Sequence, residues 1–490
     1  MDTLNSLLEK VNHATKNSPI FFATNDAERA LGLEKVLNHY HILCIDDNNI
    51  IDYLLEKQVK VFCLEKELGK TNAIFRNSNR LLRHKLTKEY IKGFAPKNGF
   101  FMFFKIAPNL EKTARKMNFK VLNTSSDLNR EFELKMPQYR FLRKLDIYLP
   151  KTEILVLKEA NYKELVDKLG KDFIIQFNRG HTGGGTLEID SKDQLEELKA
   201  IFPHRVVRIS QKIIGPAYTL NACITKHGVA WGGLSYQITG VEECTSKKLA
   251  TVGNDWSYPK ILDKNIKKKI GRFTSTIGKC MKKRGFKGMF GLDLVIEERT
   301  NKPHIIEINA RQPASIPMFT KLQLSKNQIP LNLLAIAEFM KIKYEIDVSK
   351  YNEEASAPFE AAQLFIRNKF SNPAKVVGGL KPGSYRLVGD NSAYNWESGK
   401  PELKKNVLTL EEAKDKPLVM QAENYALGEN NLGLLILCTK EGKVVNENAE
   451  VARIQAKQTL MNKEGKLKMW LQEIVNGINS YIILKEIEND

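Results

Sequence analysis

The chain has 490 residues, enough for two or three domains with buried cores. Hydrophobic residues make up 42% and charged residues 27%, a globular balance, and no apolar run reaches the roughly 18 residues a membrane helix needs. Net charge is +19, but the lysines recur along the whole sequence, so the charge reads as a solvated surface and nucleic acid is not expected as a partner.

Leu4, Leu7, Leu8 and Val11 fall at helical spacing in a segment without the basic start and apolar centre of a signal peptide. Residues 19–65 then read strand–helix–strand–helix–strand: PIFFAT, the helical NDAERALGLEKVL, HILCID, a short helix and KVFCLE. GFFMFFK, a helix over 108–117 and KVLN continue the alternation, which predicts a small α/β domain with a mainly parallel sheet over 1–120. It holds no GxGxxG, so no dinucleotide site is expected there. From 121 to 345 strand pairs alternate with helices; in one of these, Ile266, Ile270, Phe273 and Ile277 lie opposite a lysine-rich face. KYEIDVSKYNEEASAP, residues 343–358, reads as a linker into a β-rich C-terminal domain over 346–490. That domain should contain a turn at Lys381-Pro382-Gly383 and a terminal helix around 463–478. The fold class is multidomain, α/β and α+β. Cys44, Cys63, Cys223, Cys244, Cys280 and Cys438 form no CxxC pair, a pattern of reduced thiols in a cytoplasm.

Two stretches carry chemistry. KDFIIQFNRGHTGGGTLEI, residues 171–189, sets Gly180, Gly183, Gly184 and Gly185 between two strand-like runs, the first ending on Gln176. Without Cβ atoms in the way, backbone N–H groups of such a turn can converge on a phosphate, although a mobile hairpin loop has the same composition. GMFGLDLVIEERTNKPHIIEINARQP, residues 288–313, is stronger. Folded as a hairpin near Thr300, it sets Asp293 opposite Glu307, where like charges destabilise a sheet unless a cation lies between them. A divalent ion with hard oxygen ligands is such a cation. Asn309 adds an oxygen on the same face, and Arg311 can hold a phosphate or carboxylate through two parallel bonds. TVGNDWSYP, residues 251–259, is either a loop closing over substrate through Asn254 and Asp255 or a turn that buries Trp256.

The glycine-rich hairpin, the strand carrying Asp293 and the run Glu-Ile-Asn-Ala-Arg at 307–311 together resemble the ATP-grasp superfamily. The spacing is most similar to biotin carboxylase and the carboxylate–amine ligases, and the likeness covers residues 100–345 best. It implies an ATP-grasp domain over 121–345, between a pre-ATP-grasp domain and a β-rich one. It further implies ATP with magnesium, or manganese in its place. Lys135, Gln176 and the four glycines would then meet the nucleotide phosphates, and Gln211 to Ile214 would meet adenine, partly through main-chain groups. Asp293, Glu307 and Asn309 would hold magnesium, while Arg311 and Asn309 would act at the reacting centre. Two residues depart from the family pattern: Gln176 stands where a lysine is usual, and Ala217 where many relatives carry an acid. The implied activity is a ligase that activates a small-molecule carboxylate for an amine. A bicarbonate-activating enzyme similar to biotin carboxylase and a catalytically silent ATP-binding protein are the alternatives. The sequence leaves open the acid, the nucleophile and any assembly into oligomers.

Overall fold

The computed structural model describes residues 1–72, 76–181, 184–378, 383–385, 394–395, 402–403, 434–469, 471–472, 475–476, 479 and 482–487. Near the N-terminus β1 (Ile20–Ala23), β2 (Tyr40–Cys44), β3 (Val61–Cys63), β4 (Gly99–Phe103) and β5 (Phe119–Val121) form a parallel sheet in the order 3-2-1-4-5. Every residue of β1 and β2 is buried, as both faces of a parallel sheet must be covered. The helix Leu4–Thr15, N-capped by Thr3, buries Leu4, Leu7 and Val11, and Pro108–Lys116 is helical as expected. NDAERALGLEKVL departs from its expected helix: only Ala27–Ala30 make a short 3-10 turn. Gly32 explains the break, because its φ of +116° lies outside the helical range and a Cβ there would come within 2.8 Å of Thr320. Ala27, Ala30, Leu31, Leu33 and Leu37 still reach the core, from turns instead of from a helix face.

A second, antiparallel sheet joins β6 (Thr152–Val156), β7 (Phe173–His181), β8 (Gly184–Ile189) and β9 (Val206–Gln211) in the order 6-9-7-8. Phe173, Ile175, Val207 and Ile209 pack with Leu157, Leu165 and Leu195 under one face. The other face carries Gln176 directly across from Arg208.

The third sheet has nine strands. Five come from the middle of the chain: β10 (Ala217–Thr225), β11 (Gly228–Thr239), β12 (Thr251–Asp255), β13 (Gly288–Ile296) and β14 (Pro303–Asn309). Beyond them lie β15 (Ala362–Arg367) and β16 (Ala374–Gly378), then β17 (Gly383–Tyr385), β18 (Tyr394–Asn395), β19 (Glu402–Leu403) and β20 (Leu434–Cys438). The last three are β21 (Val444–Val445), β22 (Glu450–Ala456) and β23 (Ile483–Glu486). The nine-stranded order is 14-13-10-11-12-15-22-20-17, with β21-β16-β23 and β18-β19 as small separate sheets. Antiparallel pairing of β12 with β15 therefore carries one sheet across residue 345. One apolar core runs under both parts, from Ile277 and Phe290 to Leu364 and Ile454.

The expected linker is instead a docked helix, Val348–Ala355, whose N-cap Asp347 accepts from the N–H groups of Ser349 and Lys350. Its acids face water while Tyr351 and Ala355, four residues apart, are buried on one side. Ala355 sits so close to β11 that a Cβ on Gly232 would come within 2.6 Å of it. Of the C-terminal expectations, Lys381 and Pro382 lie outside the described residues. Residues 463–468 form a turn with a Met461–Leu467 bridge, and helical residues begin only at 469. Among the described residues no helix is long and apolar enough to cross a membrane, and Cys44, Cys63, Cys223, Cys244 and Cys280 are free thiols.

Candidate functional site

The site lies where the open face of the four-stranded sheet meets the β13–β14 hairpin. Residues 212–216 link β9 to β10, and Gly215 makes that link possible: at φ +150° its Cβ would lie 1.9 Å from the Ile296 carbonyl oxygen. In the hairpin, Asp293 pairs with Glu307 and Gly291 with Asn309, and a bulge after Asp293 shifts the register toward the turn. Asp293 Oδ1 accepts from Thr219 Oγ1 at 2.8 Å and from Gln237 Nε2 at 2.7 Å, and its Oδ2 accepts from Asn309 Nδ2 at 2.9 Å. Lys135 is buried and its ammonium meets Glu307 Oε2 at 2.5 Å.

The two acids respond in opposite directions. Burial, and then the charge of Glu307, pushes the Asp293 carboxyl up to about 6 against its hydrogen bonds. Burial also pushes against the Glu307 charge, but Lys135, with Arg208 and Arg311 farther off, outweighs it and holds that carboxyl below its ordinary value. The sequence-level repulsion between the acids is thus answered in the protein by a lysine.

Two helices, Ser126–Glu133 and Lys135–Leu142, grip the end of β14. Asn129 Nδ2 donates to Ala310 O at 2.9 Å, and Gln138 Nε2 to Ile308 O at 2.8 Å. Glu133 accepts from Ala310 N at 2.8 Å and from Arg311 Nε at 2.9 Å. Arg311 Nη2 donates to Asn309 Oδ1 at 3.0 Å, and the guanidinium lies 5.1 Å from the Phe104 ring centroid. Lys135, Asp293, Glu307, Asn309 and Arg311 therefore form one connected cluster.

On the facing sheet Gln176 is buried and donates through Nε2 to Thr186 Oγ1 at 3.2 Å. Gly180 lies in β7, while Gly184 and Gly185 lie in β8, the latter at φ +94°; Gly183 is outside the described residues. Gln211 ends β9, its N–H bonded to Lys151 O at 2.8 Å. The Ile214 carbonyl accepts from Glu298 N at 3.0 Å, and its side chain is 63% exposed at the link between the sheets. The stretch 251–259 takes the second of its two readings: Trp256 is fully buried. Asp255 accepts from Ser257 N, Tyr258 N, Thr459 Oγ1 and Leu460 N, and Asn254 bonds Ser235 and Gln363. Neither side chain is left for a substrate. Glu133, Thr219, Gln237 and Arg208 are the site residues that sequence reasoning missed. Only Glu133, two positions before Lys135, carried a local signal.

As for a metal, no three His, Cys, Asp or Glu side chains converge among the described residues, so the chain offers Asp293 and Glu307 as its carboxylates. Two hard oxygen donors suffice for magnesium, which keeps water and phosphate oxygens as its other ligands. Asp293 and Glu307 are paired across the hairpin with a single lysine for the two acids, so the donor set fits. Asn309 turns its amide nitrogen toward Asp293, and its oxygen would reach the same ion only after the amide rotates away from Arg311. Beside this cluster a cavity of about 840 Å³ opens between the carboxyl ends of β1–β3 and the C-terminal strands. Its walls include Asp26, Glu28, Arg29, Arg76, Arg367 and Arg453. Arg29 lies 4.9 Å from the same Phe104 ring that Arg311 covers, so one aromatic side chain separates cavity from cluster.

A glycine-bearing antiparallel sheet set against a hairpin with opposed acids defines the class of protein by its fold, an α+β arrangement of two facing sheets. Residues 133–315 match the family model of the ATP-grasp domain, so the chain carries an ATP-grasp domain. Among solved structures it is similar to a biotin carboxylase from Campylobacter jejuni, with TM-score 0.59, 12% identity, and 97% of this chain and 94% of that one covered. A carboxyaminoimidazole ribonucleotide synthase from Aspergillus clavatus, solved with ATP, matches at TM-score 0.56 and 13% identity over 94% and 99%. An L-amino acid ligase from Bacillus licheniformis matches at TM-score 0.55 and 12% identity over 97% and 99%. These proteins share the fold with this chain along nearly its whole length. No curated protein matches it in sequence.

Proposed function

We propose that the chain is an ATP- and magnesium-dependent ligase, which activates a carboxylate as an acyl phosphate for attack by an amine, forming an amide bond. The observation that carries this reading is the Asp293–Glu307 pair inside an ATP-grasp domain, with Arg311 fixed beside it. Magnesium held by Asp293 and Glu307 would neutralise charge on the phosphate oxygens. Arg311 is bound to Glu133 and Asn309 through Nε and Nη2, and among the described residues nothing holds Nη1, which would take an incoming carboxylate or phosphoryl oxygen. Lys135 neutralises Glu307, and its ammonium would turn to a phosphate once magnesium takes over that carboxylate. Phosphoryl transfer asks for position and charge neutralisation more than for a protein nucleophile, and this cluster offers those. The 840 Å³ cavity, with both signs of charge on its walls, suits polar, charged substrates better than a long-chain acid.

The test is phosphate release from ATP with pooled carboxylic acids, with and without pooled amines. Release should require an acid and rise when an amine is added. Release at one rate with or without any acid would overturn the ligase reading. Mg-ATP at about 100 times its dissociation constant should also raise unfolding stability by roughly 2.7 kcal/mol, because only the folded state holds the site.

A further inference from the structure

On the face of the four-stranded sheet that meets the hairpin, Gln176 and Arg208 stand directly across from each other on β7 and β9. Arg208 is 3% exposed, so its charge has been taken almost wholly out of water. Among the described residues its guanidinium makes one hydrogen bond, from Nη2 to the Ile306 carbonyl at 3.1 Å, and its buried Nε–H has no partner. Among the described residues no carboxylate lies within ion-pair distance of it; Glu307, the acid whose charge acts on it, already holds Lys135 at 2.5 Å. A buried, incompletely bonded cation is costly unless an anion completes it. Beside it, Gln176 Oε1 is also buried without a partner while Nε2 rests on Thr186 Oγ1. A hydroxyl can donate as well as accept, so a half-turn of the Gln176 amide leaves Thr186 satisfied and aims Nε2 at the same anion.

We propose that Arg208 is a phosphate-binding residue, supplying from β9 the positive charge that Gln176 on β7 lacks, with the Gln176 amide as a second, neutral donor to the same phosphate. This rests on the nucleotide reading above and adds to it which strand brings the charge. The guanidinium then serves twice. It bridges the small sheet to β14 through Ile306, and its free Nε–H takes an oxygen of a nucleoside di- or triphosphate.

Calorimetric titrations of Mg-ADP and of adenosine test it, using wild type, Arg208→Gln, Gln176→Lys and the double variant. Loss of one charge-assisted bond should weaken Mg-ADP by about 10- to 100-fold in Arg208→Gln and leave adenosine unchanged. In the double variant a lysine from the adjacent strand should bring Mg-ADP back to within about threefold of wild type. A mere strut between the sheets would not be rescued that way. Equal Mg-ADP affinity in wild type and Arg208→Gln, or a double variant as weak as Arg208→Gln, overturns this inference and leaves the ligase reading standing. A wild type that binds no nucleotide removes both. Should Arg208→Gln not fold, the Arg208 Nε–H resonance of the wild type, assigned with Arg208→Lys, decides. It should shift on adding Mg-ADP and not on adding adenosine, and an unmoved resonance overturns the proposal.

Discussion

Lys135 and Glu307 are both largely withdrawn from water, and their 2.5 Å contact leaves neither charge cheap to remove. Glu307→Gln strands a buried ammonium, so it should lower apo stability by about 2–4 kcal/mol, toward the low end because the glutamate stays partly solvated. Asp293 should behave in the opposite sense. Its carboxyl is raised from 3.8 to about 6 in the folded state, chiefly by burial and then by Glu307. Between those values the folded state binds the proton that the unfolded state has released. The contribution is full below 3.8 and lost as pH rises through about 6. Asp293→Asn abolishes that loss, so its apo melting temperature should gain on wild type between pH 4 and pH 7. Urea unfolding of Glu307→Gln and melts of Asp293→Asn across that range check the pair. Stability of Glu307→Gln equal to wild type, or a constant gap for Asp293→Asn, would refute this electrostatic account.

At the scale of elements, the β13–β14 hairpin was legible because period-two alternation fixes which side chains share a face. Asp293 and Glu307 could be paired from the text alone, and the register agrees. What completes the site was not legible, since Thr219 and Gln237 reach Asp293 from 74 and 56 residues away. No local pattern announces such contacts. Arg208 was hidden differently: in VVRISQ it reads as an ordinary edge-strand residue, and only its placement opposite Gln176 gives it meaning. Two local readings failed for physical reasons. Helical spacing over 25–37 lost to the backbone that Gly32 adopts against Thr320, and the charged run at 343–358 concealed an apolar side of two residues. The join between β12 and β15 makes a prediction at this scale. A chain ending at residue 345 would leave β12 as an open edge and strip Leu364 and Ile454 from the core. Residues 1–345 should therefore be insoluble or unfolded when expressed alone, by solubility and circular dichroism. A soluble, cooperatively melting fragment would contradict the continuous sheet.

For the whole molecule, three parts converge on one region. The N-terminal sheet contributes the carboxyl ends of its strands, the four-stranded sheet its glycines and Arg208, and the large sheet its acids and Arg311. The charged cavity and the Lys135–Arg311 cluster meet at Phe104, so the proposed substrate space would lie next to the residues proposed for phosphoryl transfer. The central claim is that Asp293, the acid whose charge the fold pays to bury, is kept for catalysis and not for stability. It is tested most directly by acid-dependent phosphate release from Mg-ATP in Asp293→Asn, a change that leaves the Lys135–Glu307 pair in place. Removing one preorganised group of this kind should cost about 3–4 kcal/mol in the transition state, several hundred-fold in rate, in a protein that melts at pH 7 no lower than wild type. Asp293→Asn turning over at the wild-type rate would contradict the account, because Asp293 would then have no part in the reaction.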